Sequence, residues 1–256
     1  MPALVLMYHN LSEGHQCIPP ENRPYVLDIS IFRAQMQAVS VQKNPVLTVT
    51  QWIALPLPPR AVVITFDDGH VTNYSAALPV LLKHRLRATF FITAGSIGTG
   101  EMMDWAQIRE LHASGMEIGS HTVTHRPPSM LDDNALRYEL FESRRILEDG
   151  LGSPVTSVSS PTGFFNPRMR VIAEEAGYRA LCFGQMGLAA DEPFSLKRIA
   201  VKRGMKEEQF NALLRFDRRE ICRLRNAQIL RELARKTLGP NLYVQFRRLL
   251  IRGGWA

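Results

Sequence analysis

Short apolar runs alternate with amphipathic stretches along the first 200 residues. The continuous β-branched run AVVITF at 61–66 is typical of a strand buried on both faces. Further strands are predicted at 3–8, 46–49, 88–93, 117–120, 155–159 and 180–183. Helices are predicted at 29–39, 73–84, 105–114, 132–147 and 167–176. This alternation predicts a parallel α/β sheet or barrel, which binds its ligands at the carboxyl ends of the strands.

The pattern changes after about residue 205, where helices follow one another without intervening strands. They are predicted at 206–215, 218–236 and 241–252. We therefore divide the chain into a barrel over residues 1–204 and a basic helical extension over residues 205–256. No apolar run reaches the roughly 20 residues of a membrane-spanning helix. The first residues resemble a strand rather than a secretory signal, so we expect a cytoplasmic protein.

Composition and charge narrow the class of protein. The 256 residues are 45% hydrophobic and 21% charged, which excludes a disordered or fibrous chain. The net charge of +7 is unevenly spread: residues 197–256 hold 16 Lys and Arg against 5 Asp and Glu, a surplus of +11, and residues 1–196 hold 15 against 19, a balance of −4. Three distant cysteines argue against a disulfide framework or a cysteine-based zinc site.

The basic extension indicates a polyanionic partner. In the last predicted helix, apolar residues share one face, arginines lie beside them, and Trp255 follows; these apolar residues are Leu242, Phe246, Leu249 and Leu250. Such a helix is typical of an anchor on an anionic membrane surface, here the inner face of the membrane. A helical cap packed on the barrel is the alternative. Nucleic acid is not expected, because no recognition motif is present and aromatic residues are sparse.

Two adjacent carboxylates, Asp67 and Asp68, follow the buried strand in the motif TFDDG. Such a pair is costly to hold together unless a cation or a proton relieves the repulsion. Gly69 permits the sharp turn that leaves the strand. Taken alone, the motif fits an ordinary Asp-Gly turn equally well.

Two histidines, His121 and His125, lie four residues apart at the end of another predicted strand. This spacing places both imidazoles on one side of a turn. In isolation, a pair of surface histidines is the simpler interpretation. Together with one carboxylate of Asp67 and Asp68, however, the pair forms a donor set for a divalent metal with open positions for water and substrate.

The motifs TFDDG and, some 50 residues later, SHTVTH resemble those of the polysaccharide deacetylases (NodB-like domains, carbohydrate esterase family four). The resemblance covers about residues 1–200 and implies a distorted (β/α) barrel of about seven strands. It also implies metal-dependent hydrolysis of an N-acetyl group on a hexosamine. Asp68, His121 and His125 would bind the metal, most often zinc, with cobalt, nickel or iron(II) as alternatives. Asp67 would be the general base.

The family's third motif is altered in this chain. The family stabilises the oxyanion of the reaction with the backbone N–H of the residue after a proline, which here is Thr162. A plain Pro-x-Gly turn is the alternative. The arginine that usually orients the catalytic aspartate is replaced by serine. The candidates for a substitute charge are Arg198, Lys202 and Arg203.

The family's general acid is a histidine late in the chain, and no histidine follows His125 here. His9, in the segment VLMYHN, resembles the N-terminal Tyr-His of circularly permuted deacetylases that act on poly-N-acetylglucosamine. There this histidine is the acid. Because the first and last strands of a barrel are neighbours, we predict that His9 is the acid.

Three functions follow from these motifs. The first is removal of N-acetyl groups from a glycan or lipid-linked glycan precursor that contains an N-acetylhexosamine. The second is a glycan-binding pseudoenzyme, because the late histidine and the motif arginine are missing. The third is a non-haem iron oxygenase, since two histidines and a carboxylate also bind Fe(II). The adjacent aspartates argue against the third.

Overall fold

The structure of the protein is a computed structural model that describes residues 2–14, 23–56, 60–163, 166–190 and 192–233. The strands are β1 (Ala3–Tyr8), β2 (Asn10–Ser12), β3 (Val26–Asp28), β4 (Val46–Leu47), β5 (Ala61–Phe66), β6 (Thr89–Ile92), β7 (Glu117–Ser120), β8 (Ser157–Ser159), β9 (Ala180–Phe183), β10 (Leu196–Lys197) and β11 (Ile199–Ala200). The helices are α1 (Ile29–Val41), α2 (Val49–Ile53), α3 (Leu78–Lys83), α4 (Trp105–Ala113), α5 (Asp133–Leu151), α6 (Pro167–Glu175) and α7 (Glu207–Leu214). Residues 218–233 are also helical.

Nine of these strands form one parallel sheet that is nearly closed into a barrel. The path of paired strands is β10-β9-β8-β7-β6-β5-β1-β11, and β4 pairs with β5. The two ends of this path are consecutive in sequence, with Arg198 alone between them. Residues 196–200, the closing segment, therefore pair with β9 through their first half and with β1 through their second half.

The predicted distorted barrel is confirmed, with nine strands in the sheet rather than about seven. The closing segment was missed because two-residue strands are too short to show a period. The strand predicted at 46–49 ends at Leu47. Thr48 begins a helix there, because its side chain and that of Gln51 form a reciprocal capping box.

Alternate residues of the strands face two apolar cores. In β5, Val62, Ile64 and Phe66 pack in the layer between the sheet and the helices. Ala61 and Val63 pack in the core inside the barrel, which also contains Trp52 of α2. Because side chains alternate along a strand, the row that points into the barrel continues to Asp67 at the carboxyl end of β5.

The amino end of the barrel is closed by α2 and a polar cluster around Glu117, the first residue of β7. The Glu117 carboxylate accepts hydrogen bonds from the backbone N–H and the hydroxyl of Thr50, at 3.0 and 2.6 Å. It also accepts hydrogen bonds from the hydroxyls of Thr89, at 2.9 Å, and Ser157, at 2.5 Å. This carboxylate lies at the end of the barrel opposite Asp67, and its acceptor positions are filled.

The helical extension is described in part. Helix α7 agrees with the prediction at 206–215, and it packs against the sheet–helix layer through Phe210 and Leu213. The predicted helix at 218–236 is helical as far as residue 233. The predicted helix at 241–252 and Trp255 lie outside the described residues, and the division at residue 204 stays a prediction. Within the described ranges, no helix is both long and apolar enough to cross a bilayer.

Candidate metal and catalytic centre

The two aspartates leave the carboxyl end of β5 in a tight turn. Asp67 donates its backbone N–H to the carbonyl of Tyr8 at 3.0 Å, so it continues the pairing with β1. Asp68 then adopts a left-handed backbone conformation with φ 75°, and Gly69 follows with φ 88°. A Cβ on Gly69 would also lie 3.2 Å from Ile92. The turn therefore requires glycine at 69, and it separates a buried Asp67 from an Asp68 that is partly exposed.

The histidines are carried by residues 121–125, the histidine loop, which follows β7. The Nε2 atoms of His121 and His125 each lie 3.4 Å from Oδ1 of Asp68. One ligand atom from each of the three residues falls within 4.8 Å of the others. The structure thus brings together the three residues predicted as metal ligands.

The chemistry of these donors fits a divalent metal. Nδ1 of His121 lies 2.9 Å from the backbone carbonyl of Ser159, which can only accept a hydrogen bond. Nδ1 therefore carries a proton, so that in the neutral imidazole Nε2, which faces Asp68, is the atom that would bind a metal. Zinc bonds of about 2.0–2.2 Å place two ligands of one ion about 3.3 Å apart at tetrahedral angles, close to the 3.4 Å that separates each histidine Nε2 from Oδ1 of Asp68.

A buried ion pair orients Asp67. Arg198 of the closing segment donates from Nη1 to Oδ1 of Asp67 at 2.7 Å and from Nη2 to Oδ2 at 2.8 Å. Nη2 also donates to the hydroxyl of Ser159 at 2.8 Å. Arg198 is fully buried, and its side chain is enclosed by the barrel. Of the three candidates for a substitute charge, Arg198 contacts Asp67.

The charges of the site keep both aspartates ionised. Burial alone would raise the pKa of Asp67, but Arg198 and His121 outweigh burial and hold this pKa below its usual value. Burial would likewise raise the pKa of Asp68, and the hydrogen bond and charge of His121 outweigh it, so that this pKa is also lowered. Both residues can therefore act as carboxylates.

The histidine pKa values shift in opposite directions. Burial lowers the pKa of His125, and the neighbouring His121 lowers it further. Burial would also lower the pKa of His121, but the carboxylates of Asp67 and Asp68 outweigh it and raise this pKa.

His9 lies at the same rim of the barrel. Strands β1 and β5 pair in parallel with Tyr8 opposite Phe66, so His9 and Asp67 leave the sheet side by side. Asn73 donates its side-chain N–H to the His9 carbonyl at 2.7 Å and fixes the backbone there. Nδ1 of His9 is buried and makes no hydrogen bond within the described ranges. Burial lowers the pKa of His9, although Asp68 and Asp67 oppose this shift.

Thr162 lies in the turn Pro161–Gly163, just after β8. Its φ is 61°, which a β-branched residue rarely adopts. A Cβ on Gly163 would approach the Cα of Gly184 to 2.8 Å, so the turn packs tightly against the chain after β9. The structure places Thr162 at the same rim as Ser159, and its role in oxyanion binding stays a prediction.

Left-handed backbone conformations concentrate at this rim. Six non-glycine residues in the described ranges have positive φ, and the four at the rim are Asp68, Thr122, His125 and Thr162. Such conformations persist where the surrounding structure holds them, and they are common in active sites.

Ser159 is the residue that sequence reasoning undervalued. In sequence it is indicated only as one of the two serines, Ser159 and Ser160, that replace the family's arginine. Its carbonyl contacts His121, and its hydroxyl lies between Arg198 and Asp67. The available signal was its position at the carboxyl end of a predicted strand, where barrels place functional side chains.

Arg198→Met is expected to lower the free energy of unfolding by about 3–5 kcal/mol, because it leaves Asp67 as a buried charge without its partner. The double variant with Asp67→Asn should recover part of this loss. Arg145→Met is the matched control, since Arg145 is an exposed arginine in surface ion pairs, and it should cost at most about 1 kcal/mol. Urea unfolding measures the free energy of unfolding of these three variants. Equal losses for Arg198→Met and Arg145→Met would contradict the expectation.

Comparison with known proteins identifies the family to which this chain is similar. Residues 54–181, half of the chain, match the family model described as polysaccharide deacetylase. The protein YxkH of Bacillus subtilis (strain 168) is 29% identical over 217 residues, which cover 82% of this chain and 75% of that protein. The poly-β-1,6-N-acetyl-D-glucosamine N-deacetylase of Staphylococcus aureus (strain MRSA252) is 24% identical over 205 residues, covering 69% of this chain and 70% of that protein.

A solved structure shows the same likeness. The Streptococcus pyogenes deacetylase PplD, determined in complex with acetate, superposes with a TM-score of 0.73 and 25% sequence identity. The superposition covers 83% of this chain and 97% of that one.

Proposed function

Because this chain belongs to the polysaccharide deacetylase family, we propose that it is a metal-dependent hydrolase that removes N-acetyl groups from glycans containing an N-acetylhexosamine. The observation that carries the proposal is the convergence of Asp68, His121 and His125 on one point beside an ionised, buried Asp67. The reaction adds water to the amide, breaks its C–N bond and yields acetate and a free amine.

Asp68, His121 and His125 would hold the ion, which we propose to be zinc, with cobalt, nickel or iron(II) as alternatives that the same donors accept. When bound, a divalent ion polarises the acetyl carbonyl and lowers the pKa of water to about 7. His121 is already fixed in the required tautomer by the Ser159 carbonyl. Little reorganisation of this ligand is then needed on binding.

Asp67 is the proposed general base. Its carboxylate is ionised, and Arg198 engages both oxygens, which fixes the plane of the group. Oδ2 also accepts a hydrogen bond from the Ser159 hydroxyl at 3.3 Å, whereas Oδ1 accepts only from Arg198 among the described residues. Oδ1 therefore keeps a second lone pair, with which Asp67 can accept the proton of the attacking water. The Arg198–Asp67 pair supports an active enzyme over a glycan-binding pseudoenzyme, because it supplies the charge that the altered third motif lacks.

Thr162 and His9 complete the proposed mechanism. The backbone N–H of Thr162 stabilises the negative charge that develops on the acetyl oxygen. His9 gives a proton to the departing amine, as its position beside Asp67 in the paired strands allows. Its imidazole is half-buried at the rim, where a sugar amine would leave.

The proposed substrate class is a glycan of N-acetylglucosamine or its lipid-linked precursor, on the strength of the likeness to the Staphylococcus aureus enzyme. The test incubates the zinc-loaded protein with N-acetylated β-1,6 and β-1,4 glucosamine oligomers and with O-acetylated xylan as control. Acetate and free amine are both measured. Equal amounts of the two products from a glucosamine oligomer are expected. Acetate from xylan alone, or no acetate, would contradict the proposal.

His9→Ala is expected to lower kcat on an N-acetylated oligomer by about 10²-fold, because the amine then leaves without a proton donor. With 4-nitrophenyl acetate, whose leaving group needs no proton, the loss should be only a few-fold. His84→Ala on the outer surface is the control. An equal loss on both substrates would show that His9 does not act on the leaving group.

The membrane surface remains a proposed partner, drawn from the sequence of residues 240–256. Co-sedimentation with vesicles containing anionic phosphatidylglycerol should decrease when these residues are deleted. Vesicles of phosphatidylcholine alone are the control, and they should bind neither form. Equal sedimentation of both forms with anionic vesicles would contradict the role of this segment.

A further inference from the structure

A buried carboxylate outside the metal-binding group holds the histidine loop. Glu139, on α5, is 3% exposed. Its Oε2 accepts hydrogen bonds from the backbone N–H groups of Val123, at 2.8 Å, and Thr124, at 2.9 Å. Its Oε1 accepts a hydrogen bond from the Thr124 hydroxyl. Every one of these contacts is made to residues between His121 and His125.

The partners of Glu139 are unusual for a buried charge. Burying a carboxylate is costly, and a lysine or arginine normally offsets the cost. None of the ion pairs between described residues involves Glu139. Two successive backbone N–H groups converge on one oxygen instead, as they do when a loop binds an anion. Here the anion is part of the protein, and the loop is the one that carries the histidines.

The opposite side of the histidine loop is held by the chain after β6. Ala94 donates its backbone N–H to the Thr122 carbonyl, and Gly95 donates to the Val123 carbonyl, both at 2.9 Å. A Cβ on Gly95 would approach the Val123 oxygen to 2.6 Å, so only glycine permits this contact. The loop is therefore clamped between this turn and Glu139.

The clamp matters because the loop is strained at both of its bends. Thr122 has φ 65° and His125 has φ 59°, a conformation that is uncommon for any residue other than glycine and rarest for a β-branched residue such as Thr122. Glu139 binds the two residues between these bends. We propose that Glu139 is a positioning residue that fixes His125 relative to His121 and thereby sets the affinity of the metal site. This inference rests on the proposed metal-dependent function.

The expected effect follows from loop ordering. If the carboxylate is lost, the loop adopts its ligating conformation in only a fraction of molecules, and the apparent affinity for metal is reduced to that fraction of its original value. Removing a group that orients a metal ligand typically lowers metal affinity by about 10- to 100-fold. Glu139→Leu, which keeps the volume and removes both acceptors, should show this loss. Glu139→Gln should stay within a few-fold, since its amide oxygen can accept both N–H bonds.

The experiment titrates Co²⁺ into the metal-free full chain and follows the visible d–d absorption. The variants are Glu139→Leu, Glu139→Gln, Thr124→Val and, as matched control, Glu117→Leu. The control removes a glutamate at the far end of the barrel that accepts four hydrogen bonds. Urea unfolding of the four variants records the loss of stability. A merely structural role would lower stability in both leucine variants and leave the cobalt affinity unchanged.

Each outcome of the cobalt titration supports or overturns the positioning role of Glu139. Weaker Co²⁺ binding by Glu139→Leu, near-normal binding by Glu139→Gln and normal binding by Glu117→Leu would support it. If Glu139→Leu does not fold, a Glu139→Gln protein with wild-type absorption bands and affinity, together with a several-fold loss in Thr124→Val, would support it. Equal affinity in the wild type, Glu139→Leu and Thr124→Val would overturn it while leaving the metal site intact. No cobalt uptake by the wild type would overturn the proposed function as well.

Discussion

Asp67→Asn is expected to lower kcat for acetate release by about 10³- to 10⁴-fold, at the upper end of the contribution of a general base. Asparagine keeps the shape of aspartate and can still accept one hydrogen bond from Arg198, but it cannot take a proton from water at neutral pH. Metal binding should be preserved, because the proposed ligands are Asp68 and the two histidines. Initial rates with an acetylated glucosamine oligomer and metal content by mass spectrometry measure the two properties separately.

Asp28→Asn is the matched control for this substitution. Asp28 caps α1 by accepting a hydrogen bond from the Ser30 backbone N–H at 2.8 Å, and asparagine caps helices equally well. The Asp28→Asn variant should therefore release acetate at the wild-type rate. A metal-loaded Asp67→Asn protein with more than a tenth of the wild-type rate would remove Asp67 from the role of base.

Removal of the metal is expected to reduce acetate release to background, a loss of more than about 10³-fold, since neither the carbonyl nor the water is then activated. Dialysis against a chelator followed by addition of Zn²⁺ or Co²⁺ should restore the rate. Loss of a ligand should have the same effect permanently, and His121→Ala tests this. His112→Ala is the control, because His112 lies on the exposed face of α4. Full activity after verified metal removal would contradict metal dependence.

Metal removal should also lower stability. A ligand that binds only the folded chain stabilises it by about 2.7 kcal/mol when present at 100 times its Kd. The midpoint of urea unfolding should therefore rise with added Zn²⁺ in the wild type. In the His121→Ala variant, the midpoint of urea unfolding should depend much less on added Zn²⁺.

The sequence predicts that the candidate ligands lie together because the pattern that indicates them is local. Asp68 follows a strand whose buried character is evident, and His121 and His125 share a four-residue spacing. The ends of neighbouring parallel strands meet at one rim, so the distance between the motifs along the chain does not matter. The structure brings the three ligand atoms together accordingly.

The partners that orient these residues could not be predicted in the same way. Arg198 contacts Asp67 across 131 residues of sequence, from strands too short to show a period, so sequence reasoning could offer it only beside Lys202 and Arg203. The role of Glu139 is even harder to predict from the sequence. On an amphipathic helix rich in charge, a buried glutamate looks the same in sequence as an exposed one, and only the position of the loop it binds distinguishes it.

The closing segment places two parts of the site at different stages of synthesis. All three candidate ligands are contained in residues 68–125, whereas Arg198 joins Asp67 only when residues 196–200 bridge β9 and β1. A chain that ends before residue 196 therefore contains all three candidate ligands but lacks the counterion of Asp67. We expect such a truncated chain to keep the donors for a metal ion, while its proposed base is no longer oriented by Arg198.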